Sequence, residues 1–356
     1  TWTVIAVDSA GNERETSNPQ TIDIDTSVPL VLSHTPILEG NHQQNIAVNA
    51  NYRDDESGFA SVKLYYRKGG ETVWTEETNN YSGENSITVG YTIFSQFVTS
   101  SGVEYHLKAR DVAGNIRTLP EAGFYSISIS IPGDGLVSTD YWPTGIPNGS
   151  AIIDYQLISL PATPASNTPT DVLVDDLGSY NNTKWRFFTY EAGNWLEFGE
   201  VMNLVSGRSY FLIVKKAGLD ITTGPARTVS TDETFTIPVT AGEWTFIGNP
   251  FDFNVPLSNV YLNDNIPVAG DVNFYTWNGD WIEATELEPW HGYIYKSAEG
   301  GSLSIIPRKE STGQMARPAE QMPKPRPENG EWLVDIAVSN GFMKDTQNQV
   351  GVLQVA

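Results

Sequence analysis

The chain has 356 residues, too many for a single β-sandwich, so two or three domains are expected. Its 43 acidic and 21 basic residues give a net charge of −22, which argues against nucleic acid partners and anionic membrane surfaces. It contains no cysteine, which excludes disulfides, zinc–thiolate sites and cysteine nucleophiles from this sequence. No apolar run approaches the roughly 18 residues of a membrane-spanning helix, so membrane insertion is not predicted.

A repeated turn motif marks the first part of the chain as modular. The motif Asp-x-Ala-Gly-Asn occurs at 8–12 and again at 111–115, in both places after an alternation of apolar and polar residues. The spacing of about 100 residues is the length of one β-sandwich module. We therefore expect residues 1–24 to be the last strands of one module of a tandem array. Residues 25–132 are expected to form the complete next module.

Short alternating segments, separated by turn signals, predict the strands of this second module. The segment 93–99 departs from the pattern and is too short to assign. An all-β fold of tandem β-sandwiches is therefore predicted for the first third of the chain. The predicted strands span 45–52, 60–67, 105–109 and 123–129.

Three motifs of this region resemble those of bacterial immunoglobulin-like and fibronectin type III-like modules. They are Asp-Thr-Ser-Val-Pro at 25–29, Asp-Glu-Ser-Gly at 55–58, and Asp-x-Ala-Gly-Asn at 111–115. The resemblance covers residues 1–132 and implies the tandem sandwich of a large secreted surface protein. It implies little about activity, because such modules are spacers in some proteins and binding modules in others.

The region 136–307 contains seven of the ten tryptophans and is internally duplicated, with halves at about 150–218 and 238–307. In each half a strand and a long loop precede an aromatic hairpin and a further strand, and the pairs Gly193-Asn194 and Asn278-Gly279 predict the tight hairpin turns. We expect one β domain with pseudo-twofold symmetry. It resembles an aromatic-rich β domain near the C-termini of long secreted bacterial proteins, for which no activity is assigned.

The last part of the chain changes composition. Residues 308–330 contain several prolines and basic residues and no periodicity, which predicts an extended linker. Residues 331–356 begin with an apolar alternation and are expected to start a further β domain. This arrangement is similar to that of proteins exported by type IX secretion, whose sorting domain would lie further along the chain.

The Asp-x-Ala-Gly-Asn turns are candidate calcium sites. Asp8, Asp25 and Asp111 supply hard oxygen ligands at the ends of the modules, with further carboxylates at 54–56. The same residues suit a turn that an aspartate side chain caps without any ion, and no EF-hand spacing occurs. No other cofactor is predicted.

The aromatic residues of the duplicated domain are a candidate carbohydrate site. Trp277, Trp281 and Trp290 are the candidate stacking residues, and Trp195, like Trp281, follows directly on a hairpin turn where exposure is expected. The alternative is that a duplicated domain uses the same aromatic residues twice as core.

No catalytic residue is predicted. The carboxylate pairs Glu197/Glu200 and Glu283/Glu286 occur in both halves, which favours a shared structural role over a single glycosidase site. The four histidines are scattered, and no metalloprotease, nucleophile-elbow or phosphate-loop motif is present.

These observations predict a non-enzymatic structural or adhesive segment of a secreted or cell-surface bacterial protein. Glycans or other surface proteins are the expected partners, and the location is extracellular. The alternative is an accessory region, with a carbohydrate-binding role, of a secreted hydrolase whose catalytic domain precedes this chain.

Overall fold

The computed structural model describes residues 24–264, 266, 268 and 273–307 in full, together with the backbone of residue 267 and of four strands nearer the ends of the chain. The fold is all-β, as the sequence predicted. The chain begins with a hairpin of β1 (Ile5–Val7) and β2 (Glu13–Glu15), which pair antiparallel. The predicted linker at 308–330 lies outside the described residues.

A β-sandwich follows, and its strands include the four that the sequence predicted. One sheet has the antiparallel order β3 (Leu30–Ser33), β5 (Ile46–Arg53) and β8 (Ser86–Ile93). The facing sheet has the order β7 (Thr75–Glu84), β6 (Phe59–Lys68), β9 (Val103–Asp111) and β11 (Tyr125–Ile131). Beside it, β10 (Ile116–Leu119) pairs with β9 and β4 (Glu39–Asn41) pairs in parallel with β11, while 95–97 form a 3-10 turn.

The sandwich core follows from the two-residue period of its strands. Alternate side chains of β5 and β8 are buried and the others are exposed or half-buried, because successive residues of a strand point to opposite faces. Burial of each large apolar side chain stabilises the fold by about 1.5–3 kcal/mol. The inward residues of these two strands are Ile46, Val48, Ala50, Tyr52, Ile87, Val89, Tyr91 and Ile93.

The sheet of the sandwich continues into the tryptophan-rich region. Strand β17 (Ala226–Arg227) pairs antiparallel with the end of β11, and β13 (Thr163–Pro164) pairs with β17. Next to this junction the Ile129 amide donates a hydrogen bond to Thr228 Oγ1 at 2.9 Å. Strands from both sides of residue 132 therefore share one sheet.

The duplication is visible as two four-stranded sheets with the same strand order. The first half has the order β12 (Gln156–Ser159), β16 (Ser209–Val214), β14 (Trp185–Glu191) and β15 (Asn194–Glu197). The second half has the order β19 (Trp244–Gly248), β26 (Gly292–Lys296), β23 (Phe274–Trp277) and β24 (Trp281–Glu283). The register of the strand pairs is also the same, so equivalent residues occupy equivalent places.

The connections differ between the halves. In the first half the long loop contains helix α1 (Pro169–Leu177), which Thr168 caps and Pro169 starts, a helix that the strand pattern did not predict. Further 3-10 turns lie at 138–140 and 152–154. The second half has no helix in the corresponding loop among the described residues; its connections contain a 3-10 turn at 257–259 and several short strands. These strands are β18 (Phe235–Val239), β20 (Val255–Pro256), β21 (Val260–Leu262), β22 (Ile266–Pro267), β25 (Glu286–Leu287) and β27 (Gly301–Ile305).

A separate unit near the end of the chain contains an antiparallel hairpin of β28 (Trp332–Ser339) and β29 (Lys344–Val352), in agreement with the predicted strand there. In the described part of the chain, none of the helices has the length and hydrophobicity needed to span a bilayer.

The two halves of the duplicated domain touch at four equivalent positions. Ser159 pairs with Ser209 across one sheet, and Gly248 pairs with Gly292 at the same register of the other. A Cβ atom on Gly248 would lie 2.4 Å from Ser159 Cβ, and one on Gly292 would lie 2.6 Å from Ser209 Cβ. The close contact of the halves therefore requires glycine on one side.

This contact gives a first prediction. Gly248→Ala is expected to lower the free energy of unfolding by about 1–3 kcal/mol, because the added methyl group overlaps Ser159 and the Arg208 carbonyl. Urea denaturation measures the change. The control is Gly199→Ala, because a methyl group added at Gly199 would have no atom within 4 Å and the φ there is not positive. Equal stability of the two variants would contradict the tight contact.

Asp252 lies where the second half meets the sandwich. Its backbone carbonyl accepts a hydrogen bond from Ser101 Oγ at 3.2 Å. Burial raises the pKa of its carboxyl group to about 6; a hydrogen bond from Ser100 opposes the rise and the charge of Asp140 adds to it. The carboxyl group is therefore more readily protonated in the folded chain than in the unfolded chain.

The raised pKa predicts a pH dependence of stability. The folded state binds the proton more tightly, so the stabilising effect of protonation is complete at low pH and is lost as the pH rises to about 6. Relative to Asp252→Asn, the wild-type chain should lose on the order of 1–2 kcal/mol of unfolding free energy between about pH 4 and pH 6.5. Thermal melts of both proteins across this range measure the difference. If the Tm of the two proteins changed in parallel with pH, the pKa of Asp252 would not be raised in the folded chain.

Candidate functional site

Three exposed tryptophans lie on the edge strands of the duplicated domain, Trp244 at the start of β19 and two others beside the hairpin turns. Trp195 on β15 is 58% exposed and Trp281 on β24 is 39% exposed. Each is paired across its hairpin with another aromatic residue, Trp195 with Tyr190 at 5.3 Å and Trp281 with Trp277 at 5.0 Å between ring centroids. The equivalent register makes these two pairs counterparts in the duplication.

Two cavities adjoin these tryptophans, with volumes of about 640 Å³ and 410 Å³. Trp195, Phe211 and Trp281 line both cavities. We call the continuous surface of both the aromatic groove. The larger cavity adds Tyr190, Trp244, Phe246, Asn273, Tyr275 and Ile294, and the smaller adds Ile152, Tyr155, Phe188 and Trp277.

The two cavities are related by the pseudo-twofold symmetry of the domain. Phe211 sits at the centre, with its ring 6.1 Å from the rings of both Trp195 and Trp281. Residues of one cavity have their register equivalents in the other. The equivalent pairs are Tyr155 and Trp244, Phe188 and Tyr275, Tyr190 and Trp277, and Trp195 and Trp281.

The predicted stacking residues divide between two environments. Trp277 and Trp281 line the groove, whereas Trp290 is only 1% exposed and belongs to the core cluster shared by the sandwich and the first half. A buried ring cannot stack on a sugar, so Trp290 is not part of this surface. Its equivalent in the first half, Gly207, has φ +79°, and Trp290 itself has φ +64°, a conformation that is uncommon for residues other than glycine.

Sequence reasoning named too few groove residues. Trp195 also lines the groove, and its sequence equivalence to Trp281 is a usable signal for that place. Tyr155 and Trp244 carry no signal of exposure in the sequence, because one directly precedes an ordinary strand and the other begins one. Their place in the groove depends on how the two sheets pack.

The carboxylates beside the groove have structural partners. Glu197 Oε1 accepts a hydrogen bond from Arg186 Nε at 3.0 Å and a short one from the Tyr180 hydroxyl. The Arg186 hydrogen bond and charge lower the pKa of Glu197, despite some opposing desolvation. Glu200 accepts a hydrogen bond from the Glu197 amide at 3.0 Å. The first of the repeated carboxylate pairs is therefore engaged in local structure.

His291 also has identifiable partners. Its Nδ1 lies 2.5 Å from the Tyr141 hydroxyl and 2.9 Å from Glu288 Oε2. The Tyr141 hydroxyl donates to the same carboxylate oxygen at 3.0 Å. Burial, and then the charge of Glu288, raise the pKa of Tyr141. The three side chains hold the 138–142 segment against the start of β26.

The acidic residues at one end of the sandwich form a cluster. Carboxylate oxygens of Asp25, Asp54 and Asp111 lie within 4.8 Å of one another, so the structure joins two of the predicted ligands with one of the carboxylates at 54–56. Asp8, the third predicted ligand, lies outside the described residues. Asp54 is 4% exposed and Asp111 is fully buried.

Each carboxylate of this cluster also caps a local turn. Asp111 Oδ1 accepts hydrogen bonds from the amides of Gly114 and Asn115, at 2.6 and 2.7 Å. Asp54 Oδ1 accepts one from the Gly58 amide at 2.9 Å. For Asp25, hydrogen bonds from Ser57 and Ser27 outweigh desolvation and lower the pKa. The donor set of hard oxygens fits calcium, and the turns alone also account for the aspartates.

Comparison with known proteins adds little to this picture. No protein-family model and no curated protein matches the chain. Among solved structures, the chain is similar to wild-type OgpA from Akkermansia muciniphila, with 11% identity and a TM-score of 0.22. The similarity covers 29% of this chain and 31% of that one, and at this level it carries no argument about fold or function.

The calcium prediction can be tested directly. If the cluster of Asp25, Asp54 and Asp111 binds calcium, about 10 mM calcium chloride (about tenfold above a Kd near 10⁻³ M) should raise the Tm by a few degrees over a sample in chelator. Asp54→Asn should abolish the shift. The control is Asp55→Asn, because Asp55 is exposed and pairs with Arg53 instead. Identical melting with calcium and with chelator would leave the turns as the sole role of the cluster.

Proposed function

We propose that this chain is a non-enzymatic, adhesive segment of a secreted or cell-surface bacterial protein, and that the duplicated domain binds a glycan chain in the aromatic groove. The observation that carries the proposal is the exposure of Trp195 and Trp281 at the centre of two symmetry-related cavities. An exposed, concave and largely aromatic surface marks an interaction site, because apolar area left in water is unfavourable.

The chemistry of the groove suits a sugar ring. Indole and phenol rings offer flat apolar faces that pack against the C–H face of a pyranose, and they lose little conformational entropy on binding. The side-chain amide of Asn273 and the hydroxyls of Tyr155, Tyr190 and Tyr275 supply hydrogen-bonding groups at the edges. An extended chain of sugars can contact both cavities at once, since they share three residues.

The same lining supports binding rather than hydrolysis. The residues that line the two cavities include neither a carboxylate nor an imidazole, the groups that glycosidases use as acid, base or nucleophile. The adjacent Glu197 is paired with Arg186. The groove therefore has a stacking surface whose lining residues include no carboxylate or imidazole to serve as the acid and base of glycoside hydrolysis.

In this proposal the β-sandwich acts as a spacer. Its sheet includes β17 of the next domain, and Arg227 on that strand pairs with Glu39 of the sandwich at 2.5 Å. A shared sheet limits bending between the sandwich and the binding domain, so the groove is held at a fixed distance from the sandwich. An accessory region of a secreted hydrolase, the second candidate, would use the same groove to hold its enzyme on a polysaccharide.

The proposal predicts that Trp195→Ala and Trp281→Ala each weaken binding to the best ligand of a polysaccharide panel by at least tenfold, and that the double variant does not bind. Affinity electrophoresis and calorimetry measure the losses. The control is Met202→Ala, because Met202 is 77% exposed but does not line the groove. Binding that survives in the double variant would place the ligand elsewhere.

A further inference from the structure

A third cavity of about 400 Å³ adjoins the aromatic groove at the end formed by the first half. It shares Ile152 and Tyr155 with the smaller cavity of the groove. A chain that lies in the groove can therefore extend into this space past the same two side chains. We call it the basic cavity, after its lining residues Lys184, Arg186 and Lys215.

The charge of the basic cavity is opposite to that of the chain. Acidic residues outnumber basic ones by 43 to 21 in the sequence, yet this cavity is lined by three cationic side chains and by no carboxylate. Its other polar lining includes Ser150, Asn182 and Thr183. The duplication does not explain the charge, because the equivalent of Arg186 in the second half is Asn273.

The two lysines are available for a ligand, whereas the arginine is engaged. Arg186 pairs with Glu197 at 3.0 Å and lies 4.5 Å over the ring of Phe188. Lys184 and Lys215 are both exposed, and no ion pair among the described residues involves either of them.

The backbone fixes the two lysines next to each other. The Lys215 amide donates a hydrogen bond to the Lys184 carbonyl at 2.8 Å, just beyond the last register pair of β14 and β16. Asp154, on the loop that borders the cavity, directs Oδ2 to the amides of Ser150 and Ala151 at 2.9 and 2.8 Å. The two lysines thus occupy adjacent backbone positions and line the same cavity, while the carboxylate of that loop accepts hydrogen bonds from its own backbone.

We infer that the glycan of the aromatic groove is a uronate-containing polysaccharide, and that Lys184 and Lys215 bind a carboxylate of it in the basic cavity. The inference rests on the proposed function. A uronic acid carries its carboxylate directly on the sugar ring, so a ring that continues from the groove past Ile152 and Tyr155 brings an anion to the lysines. Charge complementarity at this one place selects an acidic chain over a neutral chain of the same shape.

The negative charge of the whole protein does not oppose this contact at physiological salt. The Debye length is then about 8 Å, so carboxylates farther from the cavity are largely screened while groups in contact are screened much less. Low salt should therefore slow the encounter, and moderate salt should leave the lysine contact in place.

The experiment uses two forms of one polysaccharide backbone. Polygalacturonate carries a carboxylate on every sugar, and its methyl ester carries none. The full chain should bind polygalacturonate about three- to tenfold more tightly than the ester in calorimetry at 0.15 M salt. Lys184→Gln/Lys215→Gln should remove this preference and leave ester binding unchanged. The matched control is Lys216→Gln, since Lys216 is exposed and neighbours Lys215 but does not line the cavity.

The outcomes separate the inference from the proposed function. If both forms bind equally, and Trp281→Ala weakens both, the groove binds glycans and the uronate inference is overturned. If the preference exists but survives in the double lysine variant, the carboxylate binds elsewhere and the inference also fails. If neither form binds the wild-type chain, the uronate inference is overturned, and the polysaccharide panel with the tryptophan variants then decides the proposed function on its own. The lysines are exposed, so circular dichroism is expected to show an unchanged fold in every variant.

Discussion

The close contact between the two halves of the duplicated domain is the constraint on which the aromatic groove depends. Gly248 and Gly292 allow one sheet to approach Ser159 and Ser209 of the other to a distance that excludes any Cβ. With the sheets this close, Phe211 of the first half reaches Phe246 of the second at 5.8 Å. One aromatic surface therefore crosses both halves, instead of two separate patches on two separate sheets.

The duplicated domain keeps aromatic residues at four equivalent pairs of positions in the groove, but its symmetry is broken where the domain joins its neighbour. The position that holds Gly207 in the first half holds Trp290 in the second, and both have positive φ. Such a conformation costs a tryptophan on the order of 1–3 kcal/mol, which burial of the large indole ring in the adjoining core offsets. Of the two equivalent turns, only the one in the second half therefore places a large side chain in the adjoining core.

The net charge of the chain opposes the self-association that its exposed aromatic residues favour. Large exposed apolar residues such as Trp195 favour self-association, and a net charge of −22 opposes it by keeping copies of the chain apart. The edge strands β15 and β24 also carry Glu197 and Glu283, charges that discourage strand addition at an open sheet edge. The basic cavity is a local exception to this acidic surface, and its two lysines are therefore the basis for inferring an anionic ligand.

The sequence by itself determined the strands, the hairpins and the duplication, because alternation, turn residues and repetition are local properties of the chain. It also paired Trp195 with Trp281 as equivalents. The tertiary structure decided which candidate stacking residues are exposed: Trp281 lies in the groove and Trp290 in the core, although the sequence names both as candidates. The proximity of Asp54 to Asp25 and Asp111 also depends on the fold. The same holds for the pairing of β17 with the sandwich sheet. Burial and proximity of this kind depend on how sheets pack across distant parts of the chain, and no local pattern records that packing.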